Sequence, residues 1–165
     1  MTNVKTTFIG YPHVGKSTLL ALLKGKMPDL RYKPTMLIDF ESLNFGDHSV
    51  KIWDIGGQAS FEPYWDQFVE NSILNIVVCD STPKNVLKTK MIIEKLEKAQ
   101  QARTIAIANK QDIDGHMSAK RVENVLGVRT YPMVAIDFEN KDRLYYILIR
   151  ELLESMGVNP DEEVD

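Results

Sequence analysis

Short apolar runs alternate with longer amphipathic stretches along almost the whole 165-residue chain. Residues 4–9 are apolar and β-branched and stop at Gly10, the pattern of a buried strand. Residues 16–24 carry Leu19, Leu20, Leu22 and Leu23 and close near Gly25, as a helix does. Residues 25–34 are polar and proline-bearing, without a period, and read as a mobile surface loop. Two strand-like runs, 37–45 and 50–53, are joined by Gly46-Asp47-His48-Ser49, which predicts a hairpin. Phe61, Tyr64, Trp65 and Phe68 recur at helical spacing and read equally well as core or as a partner-binding face. Residues 73–79 form the continuous apolar run of a central parallel strand, with further strands expected over 104–108 and 131–136. Helices are expected over 83–101, 118–126 and 141–156. The first has Thr82 as its cap, Pro83 at its first position, and Val86, Leu87, Lys90, Met91 and Glu94 in amphipathic order; Gly127 and Gly157 close the other two. Such alternation implies a doubly wound α/β domain whose ligands bind beyond the carboxyl ends of the strands. The hairpin adds an antiparallel pair to an otherwise parallel sheet.

Composition narrows the class. Hydrophobic content of 44% with 26% charged residues suits one globular domain, expected over residues 1–157. Residues 159–165 carry four acids and no base, so 158–165 read as an acidic, solvated tail. A net charge of −3 provides no basic footprint for nucleic acid. A single cysteine, Cys79, argues against a disulfide framework and for a reducing, cytoplasmic setting. No run approaches the ~18 apolar residues of a membrane span. Met1-Thr2 offers no glycine for myristoylation and the C-terminus no cysteine for prenylation, so no anchor is expected in the chain itself.

Chemistry-bearing residues gather where strands end. Residues 10–18, Gly-Tyr-Pro-His-Val-Gly-Lys-Ser-Thr, form a G-x-x-x-x-G-K-S pattern after the first strand. The glycines let the backbone curl until successive N–H groups face phosphate oxygens. Pro12 has no N–H, so the donors start at His13 and run through Val14, Gly15, Lys16, Ser17 and Thr18. Lys16 reaches the β- and γ-phosphates, Ser17 places its hydroxyl on Mg²⁺, and the positive end of the helix faces the anion. Taken alone, the pattern also fits an ordinary strand-to-helix turn.

Downstream motifs complete it. Asp54 closes a strand-like run, where a carboxylate holds Mg²⁺ through a water. Gly56 and Gly57 let the backbone approach a terminal phosphate through the Gly57 N–H, and Gln58 is placed to order the attacking water. Thr35 can reach Mg²⁺ with its hydroxyl and the γ-phosphate with its N–H, which makes its loop a switch that hydrolysis releases. Asn109-Lys110-Gln111-Asp112 selects the base: the Asp112 carboxylate accepts from guanine N1–H and the exocyclic amine, a donor pair adenine lacks. Asn109 ties this segment to the phosphate loop, and the Lys110 stem covers the base plane.

With these residues assembled, the chain resembles the ADP-ribosylation-factor (Arf) branch of the Ras-like small GTPases over nearly its whole length. Most specific are Trp53-Asp54-Ile55-Gly56-Gly57-Gln58 followed by Pro63, Trp65, Phe68 and Asn71-Ser72, together with Pro34-Thr35 and Asn109-Lys110-Gln111-Asp112-Ile113. The resemblance implies a Ras-like G domain of the P-loop NTPase class, with a mostly parallel six-stranded sheet, one antiparallel edge strand and helices on both faces. It implies a Mg²⁺-dependent GTP/GDP switch with slow intrinsic hydrolysis, Gln58, Lys16 and Thr35 taking the catalytic roles. Exchange factor, activating protein and effectors are its expected partners, membrane traffic its setting, and a cytoplasmic monomer recruited to membranes by a partner its expected form. The chain departs from the family pattern in four places. The first strand starts almost at once, so no amphipathic N-terminal helix is expected. Leu37 replaces a glycine, and Pro12 stands where the family often has an aspartate. Asp137-Phe138-Glu139 replaces the last guanine-contact motif, leaving Asp137 and a backbone N–H of Phe138 as the candidate contacts. Pro12 and this last segment keep open a second reading, a nucleotide-stabilised binding module that hardly turns over. A nucleotide kinase would share only the first motif.

Overall fold

Six strands, β1 (Thr2–Ile9), β2 (Ile38–Phe45), β3 (His48–Ile55), β4 (Leu74–Cys79), β5 (Arg103–Ala108) and β6 (Thr130–Pro132), form one sheet in the order β2-β3-β1-β4-β5-β6. The computed structural model describes residues 2–27, 31, 38–99 and 102–162. Among the described residues only the β2–β3 pairing is antiparallel. The helices are α1 (Lys16–Leu23), α2 (Trp65–Val69), α3 (Pro83–Ala99), α4 (Ala119–Leu126) and α5 (Lys141–Ser155), with 3₁₀ turns over Ala59–Tyr64 and Phe138–Asn140. From β1 the chain crosses through α1 toward β3, whereas from β4 it crosses through α3 the other way, to β5. Right-handed crossovers therefore place α1 and α3 on opposite faces; α5 packs with α1 and α4 with α3. Every residue of β4 is buried, as a central parallel strand between two helical layers requires. The expected α/β architecture is the one observed.

Several local expectations are corrected. The hairpin turn is two residues, not four: Phe45 pairs with His48 across Gly46-Asp47, with Gly46 at φ 54. The segment after Gln58 is a 3₁₀ turn followed by a five-residue α-helix. Its aromatics divide, Trp65 buried and Tyr64 49% exposed. On α3, Leu87 and Met91 face solvent, and the buried stripe is Val86, Thr89, Ile92, Ile93 and Leu96. Thr89 concealed that stripe in the sequence, because its hydroxyl returns to the Asn85 carbonyl at 2.7 Å and lets the methyl pack inward. The last strand ends at Pro132 instead of residue 136. Pro132 offers no N–H to the ladder, and the Ala135 N–H is drawn off by the Asn109 carboxamide.

At the amino ends of β5 and β6, a polar cluster fastens α5 to the sheet. Glu151, on α5, is fully buried. It accepts hydrogen bonds from Arg103 Nε at 2.5 Å, Arg129 Nη1 at 3.1 Å and the Tyr131 hydroxyl. Arg103 Nη2 also reaches Glu154 at 2.6 Å. Burial pushes the Glu151 carboxyl up, but the hydrogen bonds from Arg103, Tyr131 and Arg129 outweigh it and hold the group below its ordinary 4.5. A carboxylate depressed in the fold contributes stability above its unfolded value, and that contribution disappears as pH falls through the folded value.

Glu151→Gln should therefore cost about 3 kcal/mol at pH 7, the low end for breaking a buried pair, because both guanidiniums keep solvent contact. Urea denaturation should show the gap between wild type and variant closing as pH drops below about 4.

Candidate functional site

The phosphate loop leaves β1 at Gly10 and turns into α1 through two residues of positive φ, His13 at 68 and Gly15 at 99. Gly15 is required twice over. Its backbone is left-handed, and a Cβ there would lie 2.3 Å from Asn109 Nδ2. It stands at the N-cap of α1 without a side-chain cap, so the first N–H groups of the helix are turned toward an incoming anion. Lys16 is buried and donates to the carbonyls of Gly10 at 2.7 Å and Tyr11 at 3.3 Å. Burial pushes its ammonium down to about 8, against the pull of the Asp54 carboxylate. At neutral pH it is a cation that two carbonyls have already oriented, with a third N–H to give to a phosphate oxygen.

Asp54, buried near the end of β3, accepts a hydrogen bond from Ser17 Oγ at 3.2 Å. The two expected metal ligands therefore converge from different strand ends. Beyond Asp54 the chain packs on the phosphate loop: a Cβ on Gly57 would come within 2.3 Å of the Gly10 carbonyl oxygen and 2.8 Å of the Tyr11 carbonyl carbon. Glycine is the residue that permits this approach. Trp65, from α2, donates its indole N–H to the Gly56 carbonyl at 3.2 Å. The side-chain oxygen of Gln58 is sealed from solvent and has no hydrogen-bond partner among the described residues.

Asn109 follows β5 and joins this half to the next. Its Nδ2 donates to the Val14 carbonyl at 2.9 Å, and its Oδ1 accepts the Ala135 N–H at 3.0 Å. Lys110, at φ 60, donates from Nζ to the His13 carbonyl at 2.5 Å. A cavity of about 260 Å³ opens beside the phosphate loop, walled by Gly15, Thr18, Lys110, Asp112, Ala135 and Ile136. Its size and its single carboxylate suit a flat heterocycle with two adjacent donors.

The structure thus gathers Gly10, His13, Val14, Gly15, Lys16, Ser17, Thr18, Asp54, Gly57, Gln58, Asn109, Lys110 and Asp112 along the carboxyl edge of the sheet. Thr35 lies outside the described residues. Asp137 and Phe138 are not among the residues that line the cavity; Asp137 Oδ1 instead caps the 3₁₀ turn by accepting the Glu139 N–H at 3.0 Å. Ala135 and Ile136 form that wall. Sequence reasoning missed Ser81, which is fully buried at φ 66. Its hydroxyl donates to the Asn109 carbonyl at 2.5 Å and accepts from Gln111 Nε2 at 2.8 Å, while its carbonyl takes the Met117 N–H at 2.8 Å. The run Asp80-Ser81-Thr82 signals a helix start, and nothing in it points to residue 109.

Comparison with known proteins agrees with the geometry. The family-wide profile of the ADP-ribosylation factor family matches residues 1–158. The chain is 29% identical over 160 residues to ADP-ribosylation factor-like protein 1 of Saccharomyces cerevisiae, covering 94% of this chain and 81% of that protein. It is 27% identical over 164 residues to ADP-ribosylation factor-like protein 3 of Caenorhabditis elegans, covering 94% and 82% respectively. With ADP-ribosylation factor-like protein 3 of Chlamydomonas reinhardtii it shares 32% identity over 123 residues, covering 72% and 68%.

Asn109→Ala should strand the Val14 carbonyl and the Ala135 N–H, at about 1–3 kcal/mol for each buried group. Calorimetry should record a lower melting temperature, and titration with nucleotide should show weaker binding, because the phosphate loop and the cavity wall lose their shared tie.

Proposed function

The chain belongs to the ADP-ribosylation factor family of small GTP-binding, GTP-hydrolysing switch proteins, and we propose that it runs this switch with Mg²⁺ at Ser17 and Asp54 and with Gln58 ordering the attacking water. The observation that carries the assignment to this chain's own residues is the cavity beside the phosphate loop. Asp112 is on its wall, and Asn109 bonds directly to the loop.

Each residue has a separable task. Guanine enters the cavity edge-on, with N1–H and the exocyclic amine donating to Asp112. The Lys110 stem lies along the base plane while its ammonium stays on the His13 carbonyl. Backbone N–H groups from His13 to Thr18 receive the phosphates, and Lys16 places its charge between the last two. A hydroxyl and a carboxylate oxygen 3.2 Å apart are the hard donors that Mg²⁺ takes. Among the described residues no cluster of three His, Cys, Asp or Glu side chains competes for a metal; phosphate oxygens, water and Thr35 would complete the set. Held by Ser17 and Asp54, Mg²⁺ would supply positive charge against the phosphate oxygens. The Gly57 N–H faces the terminal phosphate, and the Gln58 oxygen, sealed and without a partner among the described residues, would turn out of its packing to accept from the water that attacks it.

Residues 1–157 serve as the G domain. Thr35, Asp137 and Phe138 are proposed contacts to Mg²⁺ and γ-phosphate, in the first case, and to the guanine edge in the other two. The family implies regulators and effectors in general. For this chain we assign effector binding to residues 35–39 and 58–68, where Tyr64 is exposed and beside which Phe40 is 60% exposed, its ring edge-on to Trp53 at 4.8 Å. Among the described residues no helix is long and apolar enough to cross a membrane; a part in membrane traffic would come through partner recruitment.

Gln58→Leu should remove most hydrolysis and leave binding intact. Single-turnover assays should record the loss from a wild-type rate on the order of 10⁻⁴ to 10⁻² s⁻¹, and unchanged turnover would remove Gln58 from its role. Asp112→Asn should weaken GTP by about 100-fold, two charge-assisted hydrogen bonds being lost, and should favour xanthosine triphosphate. Competition binding between the two nucleotides measures it.

A further inference from the structure

Tyr11 occupies a variable position of the phosphate loop, and no phosphate contact requires a side chain there, since the loop works through backbone N–H groups. Yet the residue is only 7% exposed. It meets Trp65 edge-on, with centroids 5.9 Å apart and planes at 64°, and Lys88 Nζ from α3 stands 4.3 Å from its centroid. A second tie from α3, Lys95 Nζ to Glu62 Oε1 at 2.9 Å, holds the 3₁₀ turn that leads into α2.

Trp65 in turn donates its indole N–H to the Gly56 carbonyl at 3.2 Å. That carbonyl and the Gly57 N–H belong to one planar peptide. No cis peptide bond occurs among the described residues, so the two groups point in opposite directions. Anchoring the carbonyl sets the aim of the N–H. The same peptide leads directly into Gln58, and Gly57 already lies against the Gly10 and Tyr11 backbone.

We infer that Tyr11 and Trp65 are a positioning couple for hydrolysis: the phosphate loop uses its own aromatic ring to hold the indole that orients the Gly56–Gly57 peptide and Gln58 over the terminal phosphate. The inference rests on the role assigned to Gln58. Edge-to-face packing and a cation over the ring face are properties of the ring, not of the hydroxyl, so phenylalanine should replace Tyr11 and leucine should not. Neither residue touches the base cavity, and the N–H cradle for the β-phosphate does not depend on them. The couple should therefore act on hydrolysis and spare GDP binding.

The test uses the full chain with Mg²⁺, GTP and GDP, and compares wild type with Tyr11→Leu, Tyr11→Phe, Trp65→Phe, the Tyr11→Leu/Trp65→Phe double variant and Gln58→Leu. Single-turnover hydrolysis at saturating GTP should fall about 10- to 100-fold in Tyr11→Leu and Trp65→Phe, while the GDP dissociation constant stays within about threefold, smaller than that loss across its whole range. Tyr11→Phe should match wild type in both, and the double variant should lose little beyond either single one, as two links of one chain do. Trp65→Phe keeps an aromatic ring and removes the N–H together with the second ring of the indole, so it still tests the tie to Gly56 if Tyr11→Leu does not fold, with its melting temperature reporting the cost of the void at this buried position. Wild-type hydrolysis in Trp65→Phe, equal losses of rate and GDP affinity, or a Tyr11→Phe as slow as Tyr11→Leu would each overturn the inference. Gln58→Leu separates the two levels: full activity there would overturn the underlying reading, whereas an inactive Gln58→Leu beside a fully active Trp65→Phe would overturn the couple alone.

Discussion

The Asn109 carboxamide holds the two halves of the nucleotide site at working distance. One end donates to the phosphate loop at Val14, and the other accepts from the cavity wall at Ala135. Both bonds are buried, where water does not compete with them. Asparagine suits the place because it carries a donor and an acceptor on one short side chain. The requirement extends outward. Gly15 must lack a Cβ to leave room for Nδ2, Ser81 supports the Asn109 carbonyl from below, and the last strand stops short because the Ala135 N–H is needed here and not in the ladder.

Stability and chemistry occupy opposite ends of the same sheet. At the amino ends of the strands, Glu151 is surrounded by Arg103, Arg129 and Tyr131, its charge fully matched by donors. At the carboxyl ends, groups are left with bonding capacity in hand: the Lys16 ammonium, the uncapped start of α1, the Gln58 oxygen. Desolvation has already lowered the Lys16 pKa to about 8, so a phosphate that arrives there meets a cation stripped of much of its water and gains more from it than it would in solution. A matched cluster at one edge lets the other remain unmatched without loosening the domain.

Helix α3 contributes no residue to the wall of the nucleotide pocket, yet it connects these parts. Its inner face is core, and two of its lysines reach Tyr11 in the phosphate loop and Glu62 in the turn before α2. Segments that must respond to a terminal phosphate are thereby braced on a rigid element.

How far the sequence reached can be judged residue by residue. Gly10 to Thr18, Asp54-Ile55-Gly56-Gly57-Gln58 and Asn109 to Asp112 were legible because each is a few consecutive residues whose own spacing sets which atoms face a phosphate, a metal or a base edge. The strand and helix alternation was legible for the same reason, periodicity being local. The buried stripe of α3 was not legible because a threonine carries part of it, and the end of β6 was not because a tertiary hydrogen bond, not a local signal, terminates it. The sequence by itself determined the α/β order and the chemistry available at the strand ends. Only the tertiary structure decided that Tyr11 lies under Trp65, that Ser81 holds Asn109 across 28 positions, and that Asn109 reaches Val14 across 95. Such contacts follow from how the sheet brings distant strand ends together, and no run of neighbouring residues encodes them.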